Sequence, residues 1–580
     1  MADINNDPSP LKPQPEPSMQ KRLLVAFLLM GAVLFLTPYF YKTVLPPPPK
    51  PAPAPAEAPK AVEPVVPVVP VKPAVASAAP RKPAAAVSAV KEDLFIVDTK
   101  VYHVVLSNQG AVVRSWVLKQ YKDGQGRPLE LVNAAGAAKT GYPFSLTFPK
   151  AKPAVDVNQA LYAARPVPGG LGIDYDYSDG NLAVHKEFRF DAEGYLSQVS
   201  SEATQGGVGL PNLIAWRGGF GDAALQDHAG QQRTLVYDIA AAKLITKVAK
   251  DAKNGPVSDY GAYSFAGIED NYFASVFLPH GDGSFQIRTV SDGVPGHVDK
   301  AEQQYAGAEV GGAARNEFGL FVGPKDVDQL RKVAPRLEQL VDFGRWFGWL
   351  AKPCFLILNW INDRMTHNYG WAIVVVTILI NTALLPLRLS SMKSMKKMQA
   401  LKPQVDAIGA KYKNVGFRDP RKADQQAEVM DLYKKHGVNP MGGCLPMVLQ
   451  MPVFIAFYSV LTVAIEMRQA SWLWVSDLSQ PEHLAIRILP VAMVIAQFVM
   501  QKMTPNPSAD PNQQKMMMFM PLIFGFMFYS VSSGLVLYWL TSNLVGIVQQ
   551  WFINKSMPAP PEAAPPQPVA AKSKKGGGRR

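Results

Sequence analysis

The chain has 580 residues, enough for two or three domains, and a formal net charge of +13 that is spread unevenly. Its mean hydropathy of zero averages a polar stretch over 92–340 with a second part, 340–555, that holds most of the long apolar runs. Two cysteines without C-x-x-C spacing, eight scattered histidines, no glycine-lysine phosphate loop and no G-x-S-x-G leave no metal site, no cofactor, no ATPase and no serine-hydrolase signature in the sequence.

Residues 1–22 are polar and read as a cytosolic N-terminal tail. Lys21 and Arg22 then precede an apolar run that ends in Tyr39-Phe40-Tyr41. A span of about 20 residues crosses a bilayer, so 23–41 is expected to be a first transmembrane anchor. The absence of a small-residue cleavage site and the aromatic cluster favour a retained anchor over a cleaved signal peptide. The Pro/Ala/Val-rich segment 42–91 forbids helix and favours an extended spacer.

Residues 92–335 read as a β-sandwich domain. Strand-like runs occur at Val101–Leu106, Phe144–Phe148, Ile173–Tyr177, Val184–Phe190, Tyr272–Leu278 and Phe285–Val290, with turn signals such as Ser178-Asp179-Gly180 between them. No convergent set of acids, bases and nucleophiles stands out there, and His185 and His280 read as structural histidines.

From 338 to 362 the pattern becomes helical. Phe343, Trp346, Phe347 and Leu350 alternate with Asp342 and Arg345, as in an amphipathic helix lying in a membrane interface. Five more spans are expected at 370–389, 444–466, 485–501, 516–531 and 534–552. The 388–440 loop carries twelve basic and five acidic residues, a net +7, whereas the 467–484 loop has Arg468 as its one basic residue. The positive-inside rule puts the first loop and the basic tail 555–580 in the cytosol, with the β domain outside.

Thr377, Asn381 and Arg388 follow one another at intervals of four and seven, so they share one face of the second span. Polar groups on a membrane helix face protein or a wet cavity. Helical side chains tilt toward the N-terminus, which aims Arg388 back at Asn381, although snorkelling to phosphates is the alternative. Pro386 is expected to kink the span near its cytosolic end. Met392, Met395 and Met398, with Lys396 and Lys397, begin a methionine-studded basic hairpin over 390–440. Methionine suits surfaces that accept varied apolar partners, and the alternative is that the stripe packs the hairpin against itself. Gln450 in the third span, and Tyr538, Trp539 and Ser542 in the sixth, supply further polar groups among apolar walls.

The runs MKSMKKMQALKPQV, NPMGGCLPMVLQMPVFIAFY, DPNQQKMMMFMP and SGLVLYWLTSNLVGIVQQ closely resemble YidC-type membrane protein insertases of the Gram-negative architecture. The resemblance implies a polytopic α-helical membrane protein with six transmembrane helices, five of them forming an insertase core, and a periplasmic all-β supersandwich domain. It implies insertion and folding of integral membrane proteins through a hydrophilic, lipid-open groove in the bacterial inner membrane, alone or with a Sec translocon, and no enzymatic activity. Both termini would be cytosolic. The groove residues would be Thr377, Asn381, Arg388, Gln450, Tyr538, Trp539 and Ser542. Met451, Phe454, Phe519 and Met520 would form an apolar slide for the substrate. Met392, Met395, Lys396, Lys397 and Met398 would dock cytosolic partners. Nascent membrane proteins, the ribosome and membrane lipids are the implied partners, with no specific nucleic acid. One position departs from the family: Asn381 stands where its groove arginine is expected, and Arg388 is the nearest cation on that face. A secondary transporter, or a membrane-anchored carbohydrate-binding protein, is the rival reading.

Overall fold

The computed structural model describes residues 85–150, 152–222, 232–280, 283–295, 302–344, 347–412, 421–438, 445–504 and 511–556. The expected anchor 23–41, most of the linker and most of the basic tail lie outside the described residues.

The first part is antiparallel β structure throughout. A four-stranded meander runs Leu94–Asp98, Tyr102–Ser107, Val112–Lys122 and Pro128–Glu130. The remaining strands form one fourteen-stranded sheet, whose middle joins Glu302–Gly311, Ser284–Pro295, Val257–Glu269, Phe273–Pro279 and Arg315–Pro324 as neighbours. Alternation explains why these segments form strands. In Leu182–Arg189 every second residue is buried, the period-two pattern of a strand lying on a core. The expected turn at 178–180 closes the strand before it: Gly180 adopts a φ of 95°, and the Asp179 carboxylate accepts from the backbone N–H of Asn181 and Leu182. One short helix, α1 (Ala134–Thr140), interrupts the strands and starts on an Asn133 cap. All six expected strands are present, several of them longer than the sequence pattern indicates.

Helix α2 (Val327–Val333) leaves the sheet on an Asp326 cap and leads through a 3-10 turn, Pro335–Leu340, to α3 (Gly348–Ile361). The expected interfacial helix over 338–362 is therefore shorter than its pattern. On α3, Trp349, Leu356, Ile357 and Trp360 are exposed while Phe355, Leu358 and Ile361 are buried.

The second expected span divides at Leu384. Helix α4 (Tyr369–Ala383) gives way to α5 (Leu385–Ala400) with a bend of 55°. Pro386 lies in the first turn of α5, where its missing N–H costs nothing. Helices α6 (Lys402–Lys411) and α7 (Arg421–Lys435) complete the hairpin. Then come α8 (Leu445–Val463), α9 (Ile488–Met503), α10 (Pro511–Phe528) and α11 (Ser533–Ser556). Among the described residues no single helix is both long and apolar enough to cross a membrane, but the bent pair α4–α5 meets that test as a unit.

One apolar core runs from the sheets through Leu330, Leu337 and Leu340 into α3, α4, α8 and α11. The turn after α8 ties the two parts together. Arg468 donates to the Asp222 carboxylate at 2.5 Å and to the Lys122 carbonyl at 2.7 Å, and Gln469 donates to the same carbonyl. Both members of the ion pair are at most 3% exposed. The same end of the helices carries the Asn368 amide on the Ser471 carbonyl. Gly370 lies so close to Trp472 that a Cβ would sit 2.2 Å from the indole, so only glycine fits there.

The hairpin forms a separate small core. Met392, Met395 and Met398 are buried with Leu401, Val405, Tyr433, Val438 and Ile553. Lys396 is also buried and donates to the Ile553 carbonyl. Of the five residues named for docking, Lys397 alone is exposed: the methionines fill the space between the hairpin and the end of α11, in line with the alternative that the stripe packs the hairpin against its own chain.

Candidate functional site

The polar residues of α4 meet α11 along a seam. Thr377 is fully buried and returns its hydroxyl to the Ile373 carbonyl one turn earlier. The Asn381 amide donates to the Thr377 carbonyl at 2.8 Å and to the Ser542 hydroxyl at 3.1 Å. Gln549 then bridges the break in the helix: its amide N–H reaches the Asn381 carbonyl at 3.2 Å, and its Oε1 accepts from Arg388 Nη1 at 2.9 Å. The bend at Leu384 exposes backbone carbonyls that a straight helix would satisfy internally, and a side-chain amide is a suitable donor for them.

Arg388 is half-buried against α9 and α11, and its second terminal nitrogen lies 3.7 Å from the Met500 sulfur. A guanidinium offers five N–H donors. Here two have partners, one of them a weak sulfur acceptor, and no carboxylate pairs with it among the described residues. Space for it comes from Gly546, where a Cβ would sit 2.9 Å from Arg388 Nη2 and 2.8 Å from the Met500 methyl. Among the described residues the arginine therefore has neutral partners alone, and in such a site a negative partner gains more than it would in water.

The other residues named from the sequence fall elsewhere. Gln450 donates to the Tyr538 hydroxyl at 3.1 Å, a separate link between α8 and α11. Trp539 joins an aromatic cluster, with ring centroids 4.9 Å from both Phe454 and Phe528, and its indole N–H reaches Gln497 at 3.5 Å. Phe457 stacks on Tyr538 at 4.7 Å. Met451, Phe454 and Met520 are part-buried, and Phe519 continues an exposed apolar face with Leu522, Ile523 and Phe526. The structure thus gathers Thr377, Asn381, Ser542 and Arg388 in one seam, sets Gln450 with Tyr538 in a second link, and places Trp539 against the aromatic wall.

Sequence reasoning missed Gln549, Gly546 and Met500. The signal for Gln549 was present: it follows Ser542 by seven residues, the interval that joins Asn381 to Arg388 on the facing helix. Nothing in the sequence marks Met500 or Gly546, whose importance depends on which helix lies opposite.

Residues 360–560 match the family model described as the 60Kd inner membrane protein, and residues 95–357 match the YidC periplasmic domain. A relative from Syntrophus aciditrophicus, named membrane protein insertase YidC, is 35% identical over 565 residues, covering 93% of this chain and 100% of its own length. A relative of the same name from Geotalea daltonii is 34% identical over 566 residues, with the same two coverages. A solved structure titled as an active YidC insertase with its first transmembrane domain resolved is 19% identical, covers 80% of this chain and 93% of its own, and aligns with a TM-score of 0.34.

Proposed function

Because the chain belongs to the YidC family of membrane protein insertases, it is an inner-membrane insertase with a periplasmic β domain, and we propose that the seam between α4 and α11 is where its substrates are received. In this reading six helices span the membrane, at 23–41, 370–389, 444–466, 485–501, 516–531 and 534–552, and the last five form the insertase core. Both termini and the hairpin are cytosolic. The protein performs no covalent chemistry and uses no cofactor.

Two independent features support this orientation. The 388–440 loop carries the +7 excess, and Arg468 on the turn after α8 is bonded to the β domain, at the opposite end of the helices. The α4–α11 seam runs between these two ends.

The observation that carries the proposal is Arg388, a half-buried guanidinium held, among the described residues, by neutral partners alone. It attracts the short acidic extracytoplasmic segment of a nascent membrane protein. Asn381, Ser542 and Gln549, with Thr377 buried behind them, offer hydrogen bonds to the polar backbone of that segment, because an unsatisfied backbone group in hydrocarbon costs several kcal/mol. The substrate's apolar helix then leaves along Met451, Phe454, Phe519 and Met520 into lipid. Arg388 takes the role of the arginine that the family places at the Asn381 position, and the bend at Leu384 with Gln549 as a bridge links the two levels. The basic hairpin, through exposed cations such as Lys397, meets the ribosome, and a Sec translocon is a further partner.

Photocrosslinkers placed at positions 377, 381, 388, 450 and 539 of the full chain, with a stalled nascent membrane protein, test the seam. The strongest crosslinks are expected at 388, with weaker ones at 381, 450 and 539 and the weakest at the buried position 377. Silence at all five positions defeats the proposal.

A further inference from the structure

A polar cavity lies at the other end of the helices from the hairpin, between α2, α3 and the turn after α8, with a volume of ≈ 320 Å³. A single water occupies about 30 Å³, so the space suits a small molecular group. Its charged lining consists of Asp328, Asp363 and Glu466 against Arg331 and Arg364. Arg331 is already engaged, bonding Glu338 at 2.9 Å and lying 3.9 Å from Asp328. Arg364 has no ion pair among the described residues. Asn359 lies on the same wall, faces Glu466, and keeps its side-chain oxygen buried without a donor. The floor is apolar, formed by Phe355, Leu356 and Trp360, and it opens onto the exposed face of α3 that Trp349 and Ile357 continue.

These features specify the occupant's chemistry. A free guanidinium calls for an anionic oxygen. The carboxylates and the orphaned amide oxygen call for N–H donors, and a buried acceptor without a donor is a standing cost. Three carboxylates against two guanidiniums disfavour a ligand with net negative charge. A primary ammonium has three donors, while a quaternary ammonium has none. The apolar opening requires that the ligand carry hydrocarbon.

We propose that this cavity binds the headgroup of a zwitterionic aminophospholipid of the ethanolamine type, with its phosphate on Arg364, its ammonium among Glu466, Asp363 and the Asn359 oxygen, and its acyl chains along α3. The site anchors the outer end of the helical core, where the β domain joins it, to a particular lipid. The inference rests on the orientation above, which sets α3 at the outer surface of the bilayer.

Native mass spectrometry of the full-length chain in detergent, with phosphatidylethanolamine, phosphatidylcholine and phosphatidylglycerol supplied equally, tests it. The ethanolamine lipid is expected to be retained about tenfold over each of the others, the difference one charge-assisted hydrogen bond makes. Glu466→Gln should abolish that preference, whereas Arg364→Gln should lower retention of all three lipids, because all three carry the phosphate; Arg364 is exposed, so its substitution leaves folding intact. Equal retention of the three lipids, or a preference unchanged in Glu466→Gln, overturns the site. Soluble glycerophosphoethanolamine displacing the lipid at equal concentration overturns the lipid assignment. Quenching by chain-brominated phosphatidylcholine vesicles, compared between the natural chain and Trp360→Phe, separates the two readings. Quenching assigned to Trp360 with no headgroup preference removes the site and leaves α3 at the interface, whereas no quenching removes the orientation itself.

Discussion

The β domain and the helical seam treat buried cations differently. In the β domain Lys325 pairs with Glu269 at 3.2 Å, both 1% exposed, and Arg233 shares the same carboxylate. Lys186, also buried, spends all three donors on the carbonyls of Gly110, Ala111 and Phe144 at 2.8–3.1 Å. Arg388 in the seam has one amide oxygen and one sulfur. A saturated cation holds structure in place and has nothing left for a ligand. An unsaturated cation is costly to the resting protein, and that cost is recovered when an anionic partner arrives.

The contrast is sharpest at the pair that joins the two regions. Arg468→Ala takes the guanidinium away from the buried Asp222 carboxylate, and should lower the unfolding free energy by about 3–5 kcal/mol. Denaturation of the full chain reads this out, and a loss below about 1 kcal/mol would mean that the pair is not buried in solution. Next in size is Arg388→Ala. Insertion of a substrate with an acidic extracytoplasmic tail is expected to fall about tenfold or more, while unfolding stability changes by no more than about 1 kcal/mol. Comparable losses in both readouts would make Arg388 a structural cation like Lys325. Gly546→Ala pushes a methyl against the guanidinium and Met500, so it should impair the same insertion assay more mildly, by a few-fold, with Arg388 still present.

The smallest effect concerns pH. The Arg331 and Lys352 side chains hydrogen-bond Glu338 and draw its carboxyl from 4.5 down to about 2. A carboxyl depressed on folding contributes stability above its unfolded value and loses it as pH falls through the folded one. The melting-temperature difference between the natural chain and Glu338→Gln should therefore be constant near neutrality and shrink from about pH 5 toward about pH 2. A difference that grows on acidification contradicts the pairing. Because the pair is largely solvated, the effect is small.

How much of this was legible in the sequence depended on range. Strand Leu182–Arg189 and the Asp179-Gly180 turn are local, so alternation and turn chemistry revealed them. The bend at Leu384 was legible through Pro386, which cannot continue the hydrogen-bond ladder. The fourteen-stranded sheet was not, because it pairs Ser145–Thr147 with Leu213–Trp216 and Val257–Glu269 with Ser284–Pro295, and no local pattern encodes such registers. Arg468 read as a lone cation in an outer loop, while its partner Asp222 lies 246 residues away. The methionine stripe was legible as a stripe, yet periodicity cannot say whether an apolar face meets a guest or its own chain, and here Ile553 covers it. Thr377, Asn381 and Arg388 could be grouped because they share one helix, whereas Gln549 needed the opposing helix to be placed.

The central claim is that Arg388 provides the charge that receives the substrate. The direct measurement is insertion of two single-span substrates, one with an acidic and one with a neutral extracytoplasmic tail, by the natural chain, Arg388→Ala, Arg388→Lys and Asn381→Ala. The account predicts that Arg388→Ala loses the acidic substrate alone, that Arg388→Lys restores much of it, and that Asn381→Ala has a modest effect on both. Full insertion of the acidic substrate by Arg388→Ala, with loss on Asn381→Ala, would contradict it.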